Sequence, residues 1–362
     1  MSRSGWKRAF VGASLLTSVW APGAMAQTCT LPAWNNMGPG APMGGPAVYG
    51  HAVTSDGTFI YSASGASGAP PAGGDVTLLQ RYDPSTNAWA TLLPPVPVPV
   101  VGATLAYDAA GGGKLLLFGG VTSSTFQNLL QVYTLATSSW TFGNPMPAPR
   151  AAMASGVIGG LIYLVGGLST STTVESQNWT FDPATGTYQI KAQLPIPKAR
   201  AGSAVSSGKL FVMSGEDSAG GLANTNCGYD PPTDSWNCAL AVIPTPVWAP
   251  GSTALGAMTA ACHGDILIVG GGTPLLGTPP LPGDSSRAPA STNISQIYDV
   301  ASNTWSTNGL PTLPTGRFAL RAAQAGDTLI AFGGWDGSSN VTTVDRIQGP
   351  PLPVQLQAFS VE

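Results

Sequence analysis

Three arginines stand where the chain leaves a proline-rich segment: Arg150 in PMPAPR, Arg200 in PIPKAR and Arg317 in PTLPTGR. A guanidinium offers a planar fork of donors, which suits a carboxylate or the hydroxyls of a polar sugar. A second reading is open for all three: they cap strand ends and bond to neighbouring backbone carbonyls. Carboxylates occur in comparable settings. Glu216 and Asp217 follow Ser214-Gly215, and Asp336 lies in GGWDGSS after Trp335. Trp335, Trp248 and Tyr49 fall in segments of the same kind. An aromatic ring beside polar groups stacks well on a sugar; the alternative is packing against adjacent loops.

Other chemistry has fewer candidates. There are two histidines, His51 and His263. His51 falls near the start of a strand and His263 in a turn, so no shared metal site is expected, and no Ser-His-Asp or Cys-His arrangement presents itself. No cofactor is implied. Net charge is −3 and Lys and Arg do not cluster, which argues against nucleic acid as a partner.

The positioning elements must be many and short. Charged residues make up 9% against a usual value of about 25%. Gly (47) and Pro (33) are abundant while hydrophobic residues still reach 43%, so the composition indicates short buried strands and tight turns rather than disorder. Residues 1–26 read as a secretory leader. Arg3, Lys7 and Arg8 precede an apolar run too short to span a bilayer, and Ala24-Met25-Ala26 forms a cleavage site. The expectation is a secreted or periplasmic protein with no membrane span.

Self-similarity organises residues 27–348. Each unit opens on a Pro-rich segment, runs through a small apolar strand and a turn, then through an aliphatic strand ending in a glycine pair. The pair sites are Gly119-Gly120, Gly166-Gly167, Ser214-Gly215, Gly270-Gly271 and Gly333-Gly334; the first copy, around 59–64, reads as having lost it. A hairpin follows with two aromatics always seven residues apart: Tyr82/Trp89, Tyr133/Trp140, Phe181/Tyr188, Tyr229/Trp236 and Tyr298/Trp305. Turns such as DPSTNAW and DPPTDSW supply the residues a tight hairpin requires.

This order of Arg, Gly-Gly, Tyr-Asp and Trp resembles the Kelch repeat. The likeness implies an all-β, six-bladed β-propeller of four-stranded sheets. The last unit has no closing Trp and Trp34 stands alone at the front, so the N-terminal strand is expected to complete the last blade. In that arrangement Cys227 and Cys238 face each other across a hairpin, and Cys29 on the closing strand lies near Cys262 of the fifth blade; two disulfides are expected. Isolated thiols at Cys29 and Cys262 are the alternative.

The resemblance also implies a ligand-binding face, made by the loops that enter each inner strand and those that follow each glycine pair. Arg150, Arg200 and Arg317 are assigned one repeat position on it, with Val48, Ala103 and Ala254 in the blades that lack arginine. Tyr49, Trp248, Trp335 and Asp336 fall on the same face, overhung by the loop over 272–293. Copper oxidases of the galactose oxidase type have a similar architecture, but His51 and His263 are expected on opposite faces. The first functional reading is non-catalytic binding or scaffolding with a carbohydrate or protein segment. The alternative is a carbohydrate-modifying enzyme of the sialic-acid epimerase type, with Glu216 as base and Arg150 and Arg200 holding the substrate. Residues 349–362 form a C-terminal tail with no assigned role.

Overall fold

The computed structural model describes residues 29–35, 38–70, 73–256, 262, 264–273 and 290–349. The leader, most of the tail, His263 and the centre of the blade 5 loop lie outside them.

Twenty-three strands form six radial sheets, all antiparallel. Blade 1 holds β1 (Ala52–Ser55) and β2 (Ile60–Ala63), a small ribbon of β3 (Ala66–Ser67) and β4 (Gly74–Asp75) in its loop, then β5 (Leu79–Asp83) and β6 (Ala88–Leu92). Blade 2 holds β7 (Thr104–Asp108) and β8 (Lys114–Phe118), the ribbon β9 (Val121–Thr122) and β10 (Thr125–Phe126), then β11 (Leu130–Thr134) and β12 (Ser139–Phe142). Blade 3 comprises β13 (Ala154–Ile158), β14 (Leu161–Val165), β15 (Asn178–Asp182) and β16 (Thr187–Lys191). Blade 4 comprises β17 (Gly202–Ser206), β18 (Lys209–Met213), β19 (Asn226–Asp230) and β20 (Ser235–Asn237). Blade 5 has β21 (Gly251–Ala254) and β22 (Ile266–Val269), the ribbon β23 (Gly272–Thr273) and β24 (Ala290–Ser291), then β25 (Ser295–Asp299) and β26 (Thr304–Ser306). Blade 6 contributes β27 (Arg321–Ala325), β28 (Thr328–Phe332) and β29 (Val344–Gln348). Thus the 272–293 loop, expected to be irregular, starts and ends on a ribbon.

A single sheet cannot bury both faces, and the ring solves this. One apolar cluster fills each of the six junctions between blades. The seven-residue spacing has its cause in the register: Tyr82 pairs directly with Trp89, Tyr133 with Trp140, Phe181 with Tyr188, Tyr229 with Trp236 and Tyr298 with Trp305. Ring centroids in these pairs lie 4.8–5.2 Å apart. Each outer tryptophan also reaches the preceding blade. The indole N–H of Trp140 donates to Pro94 O at 2.9 Å, that of Trp236 to Ala192 O at 2.8 Å and that of Trp305 to Ala241 O at 3.0 Å.

The front of the chain closes the circle. Asn35 N donates to Arg346 O and Gly40 N to Val344 O, at 2.6 and 2.7 Å along β29. Trp34 packs in the junction of blades 5 and 6, the place that the other outer aromatics occupy at their own junctions. Trp89 donates to Ala41 O at 3.0 Å, just as its counterparts bond the blade before them. The closing segment is not a regular strand: Asn35 and Gly38 have φ of 61° and 83°, and this left-handed backbone interrupts any extended run. Disulfides join Cys29 to Cys262 and Cys227 to Cys238. The first ties the closing segment to blade 5.

The first blade retains its turn after all. Ser64-Gly65 has φ of 59° and 101°, matching Ser214-Gly215 at 57° and 85° and Gly166-Gly167 at 62° and 86°. The second position must be glycine because the backbone of the mouth crosses it: a Cβ on Gly167 would lie 2.5 Å from Ala151 O.

Candidate ligand-binding mouth

Where each chain segment enters its inner strand, one residue adopts a left-handed backbone: Gly50, Gly102, Ala152, Arg200, Ala249 and Ala319, with φ of 47–69°. These six residues form a closed circuit of main-chain hydrogen bonds. Gly102 N donates to Gly50 O, Ala152 N to Gly102 O, Arg200 N to Ala152 O, Ala249 N to Arg200 O, Ala319 N to Ala249 O, and Gly50 N back to Ala319 O, at 2.6–3.0 Å. The circuit fixes the rim of the central channel. The residue before each member bridges to the residue after the glycine turn of the same blade, as Tyr49 does to Ala66, Trp248 to Gly272 and Phe318 to Trp335.

The rim opens on a cavity of about 1570 Å³ that runs down between the inner strands. Its walls differ around the ring. Blades 5, 6 and 1 present Trp248, Phe318, Trp335 and Tyr49. Trp248 and Phe318 meet edge to face with centroids 5.1 Å apart. Blades 3, 4 and 5 present Ser155, Ser203 and Ser252 lower in the channel. There Ser203 Oγ donates to Ser155 O at 3.1 Å and Ser252 Oγ to Ser203 O at 3.0 Å.

The three arginines predicted from sequence do not share a repeat position. Arg150 and Arg317 stand two residues before the circuit, at the position held by Val48, Val100, Lys198 and Val247. Side chains there point into the blades, and Arg150 and Arg317 are buried and do not line the cavity. Arg150 bonds Gln177, lies 3.5 Å from Glu175 and sits over the Trp179 ring. Arg317 bonds Asp345, Thr343 O and Ala331 O. Lys198 occupies the same buried site in blade 4, donating to Ser214 O and Thr225 O, and burial brings its pKa down to about 8. Arg200 alone is a circuit member. It lines the cavity, lies 5.0 Å over the Trp248 ring and bonds Glu216. Burial lowers its pKa, with Glu216 acting against that shift.

Of the other expected site residues, Tyr49, Trp248 and Trp335 line the cavity; Asp336 does not. Asp336 accepts from Ser338 N and Ser339 N, both at 2.7 Å, and so shapes its own loop. Glu216 is buried, engaged by Arg200, and absent from the cavity wall. Among the described wall residues the one carboxylate is Asp75, which accepts from Thr122 of the neighbouring blade at 3.0 Å. His51 lies fully buried against Phe332, with centroids 4.9 Å apart and neither ring nitrogen bonded. Burial holds its pKa well below the usual imidazole range, helped by Arg321 and Arg317.

Among the wall residues that sequence reasoning missed are Phe318 and Arg321. Arg321 opens an inner strand at the place where the other blades have Ala52, Thr104, Ala154, Gly202 and Gly251. A lone long cation in a column of small residues was the available signal.

A family model for the KLHDC2/KLHL20/DRC7 Kelch-repeats domain matches residues 50–272, more than half of the chain. The chain belongs to the Kelch-repeat family. Among solved structures, that of YjhT is similar to this Kelch propeller with a TM-score of 0.66 at 18% identity, over 83% of this chain and 94% of that one. At that identity the likeness concerns the fold. No curated protein matches the chain.

Proposed function

We propose that this Kelch propeller is a binding protein that takes a carbohydrate or protein segment into the mouth of its channel. The observation that carries the reading is the aromatic arc of Tyr49, Trp248, Phe318 and Trp335 around a deep cavity, with the Arg200 guanidinium stacked on Trp248. Aromatic faces beside a few fixed polar groups are the usual make-up of a ligand pocket. Two disulfides suit an oxidising compartment, in keeping with a secreted or periplasmic protein. Among described residues no helix is long and apolar enough to cross a membrane.

The carbohydrate-modifying alternative needs a carboxylate facing the ligand. Its candidate base, Glu216, is occupied by Arg200, which leaves Asp75 on the described wall. Binding is therefore the preferred reading. A glycan and peptide array probed with the purified protein tests it, alongside Trp248→Ala. Retention of one ligand class by the wild type and its loss in the variant is the expected result; equal binding by both removes the mouth as the site.

A further inference from the structure

Three arginines packed around the channel mouth come with carboxylates. Arg150 has Glu175, Arg200 has Glu216 and Arg317 has Asp345. Arg321 has none among the described residues. One of its terminal nitrogens donates to Leu320 O at 2.9 Å, and the residue lines the channel. The other blades place an alanine, threonine or glycine here, so the side chain is not needed to build the inner strand.

A guanidinium taken out of bulk water is costly unless paired, and it does not shed its proton near neutrality. Burial brings the pKa of Arg321 down to about 10, still above neutral pH. Its surroundings offer no relief. Phe332, its cross-strand partner, packs against His51, whose neutral form is favoured by burial and then by Arg321 and Arg317. The one described carboxylate on the wall, Asp75, is held by Thr122 and Ser123 of blade 2. The blade 6 side of the channel is thus positive, with no counter-charge of its own among the described residues.

We propose that Arg321 is an anion-binding residue inside the channel, and that it holds a carboxylate of the ligand. The aromatic arc then contacts the body of that ligand from above. This rests on the reading of the mouth as a binding face, and adds the charge of what enters. Ser252 on the adjoining blade 5 and Ser203 on blade 4 make the neighbouring stretch of wall polar.

Two matched pairs of probes test the proposal by isothermal titration with the full protein: glucuronate against glucose, and N-acetylalanine against its amide. The acid of at least one pair should bind about tenfold tighter than its neutral partner, the effect of one charge-assisted contact. Which pair shows the preference tells a sugar acid from a peptide-like carboxylate. Arg321→Gln should abolish that preference, and Arg321→Lys should retain part of it. Matching circular dichroism and melting curves would show that each variant folds. No preference in either pair, no binding by any of the four, or a preference that survives Arg321→Gln overturns the proposal. None of those results touches the array experiment, where a neutral glycan or peptide lost on Trp248→Ala would still support the mouth as a binding face.

Discussion

Arg317 and Asp345 form an ion pair wholly inside blade 6, with side-chain exposures of 0% and 3%. Arg317 also bonds Thr343 O and Ala331 O, so it braces two strands of the sheet that the N-terminal segment completes. Breaking one side of such a pair leaves a stranded charge. Asp345→Asn should lower unfolding stability by about 3–5 kcal/mol in urea melts. A loss under about 1 kcal/mol would mean the pair is replaced by water.

The Cys29–Cys262 bond closes a loop of 233 residues around the ring. On the chain-entropy account a loop of that size stabilises by on the order of 5 kcal/mol at most. A Cys29→Ser, Cys262→Ser double variant should melt well below the wild type. The Cys227–Cys238 bond spans 11 residues within one hairpin, so its removal should matter less. The reverse order of melting temperatures would show that the clasp holds without its covalent tie.

His51 makes stability depend on pH. Its folded pKa is depressed, first by burial, and its unfolded value is near 6.5. Below that value the unfolded chain binds a proton that the folded chain refuses, so stability is full above pH 6.5 and falls as the solution is acidified. The slope should approach about 1.4 kcal/mol per pH unit below pH 6, less what other groups contribute. In His51→Gln that slope should largely vanish in urea melts at pH 5 and 7; an unchanged slope would place the acid sensitivity elsewhere.

Gly167 combines φ of +86° with a would-be Cβ 2.5 Å from Ala151 O. Gly167→Ala should cost about 1–3 kcal/mol from backbone conformation alone, and more from the clash. Gly160, with φ of +81° but nothing within 4 Å of its would-be Cβ, is the control, and its alanine variant should suffer only the backbone cost. Equal melting temperatures for the two variants would show that the mouth backbone yields to a methyl group.

The fold was legible because its signal repeats. A seven-residue spacing between aromatics comes from two strands joined by a short turn, and five copies leave little freedom for another architecture. Trp34 could be assigned to the last blade because every other junction had its aromatic. The candidate site was harder to read for the same reason: what repeats is structural. In PIPKAR, Lys198 fills the buried cation site and Arg200 lies two residues further on, yet the string looks like PMPAPR with its arginine slightly displaced. Only backbone geometry separates a side chain turned into the sheet from one at the rim. Ser64-Gly65 was hidden likewise, since the first turn position needs a left-handed φ rather than a glycine. Arg321 departs from the repeat, and departures are invisible to a search for recurrence.

Because the hoop around the opening is stitched from amides and carbonyls, its shape does not depend on which side chains decorate it. Arg200 holds the same place in the hoop as Gly50 or Ala319 and donates the same main-chain bond. Recognition can therefore drift one residue at a time, across six separate stations, while the aperture keeps its diameter. Lineages that carry this scaffold have a cheap route to new ligands, and grafting other side chains onto Gly102, Ala152 and Ala249 is the corresponding route for an engineer.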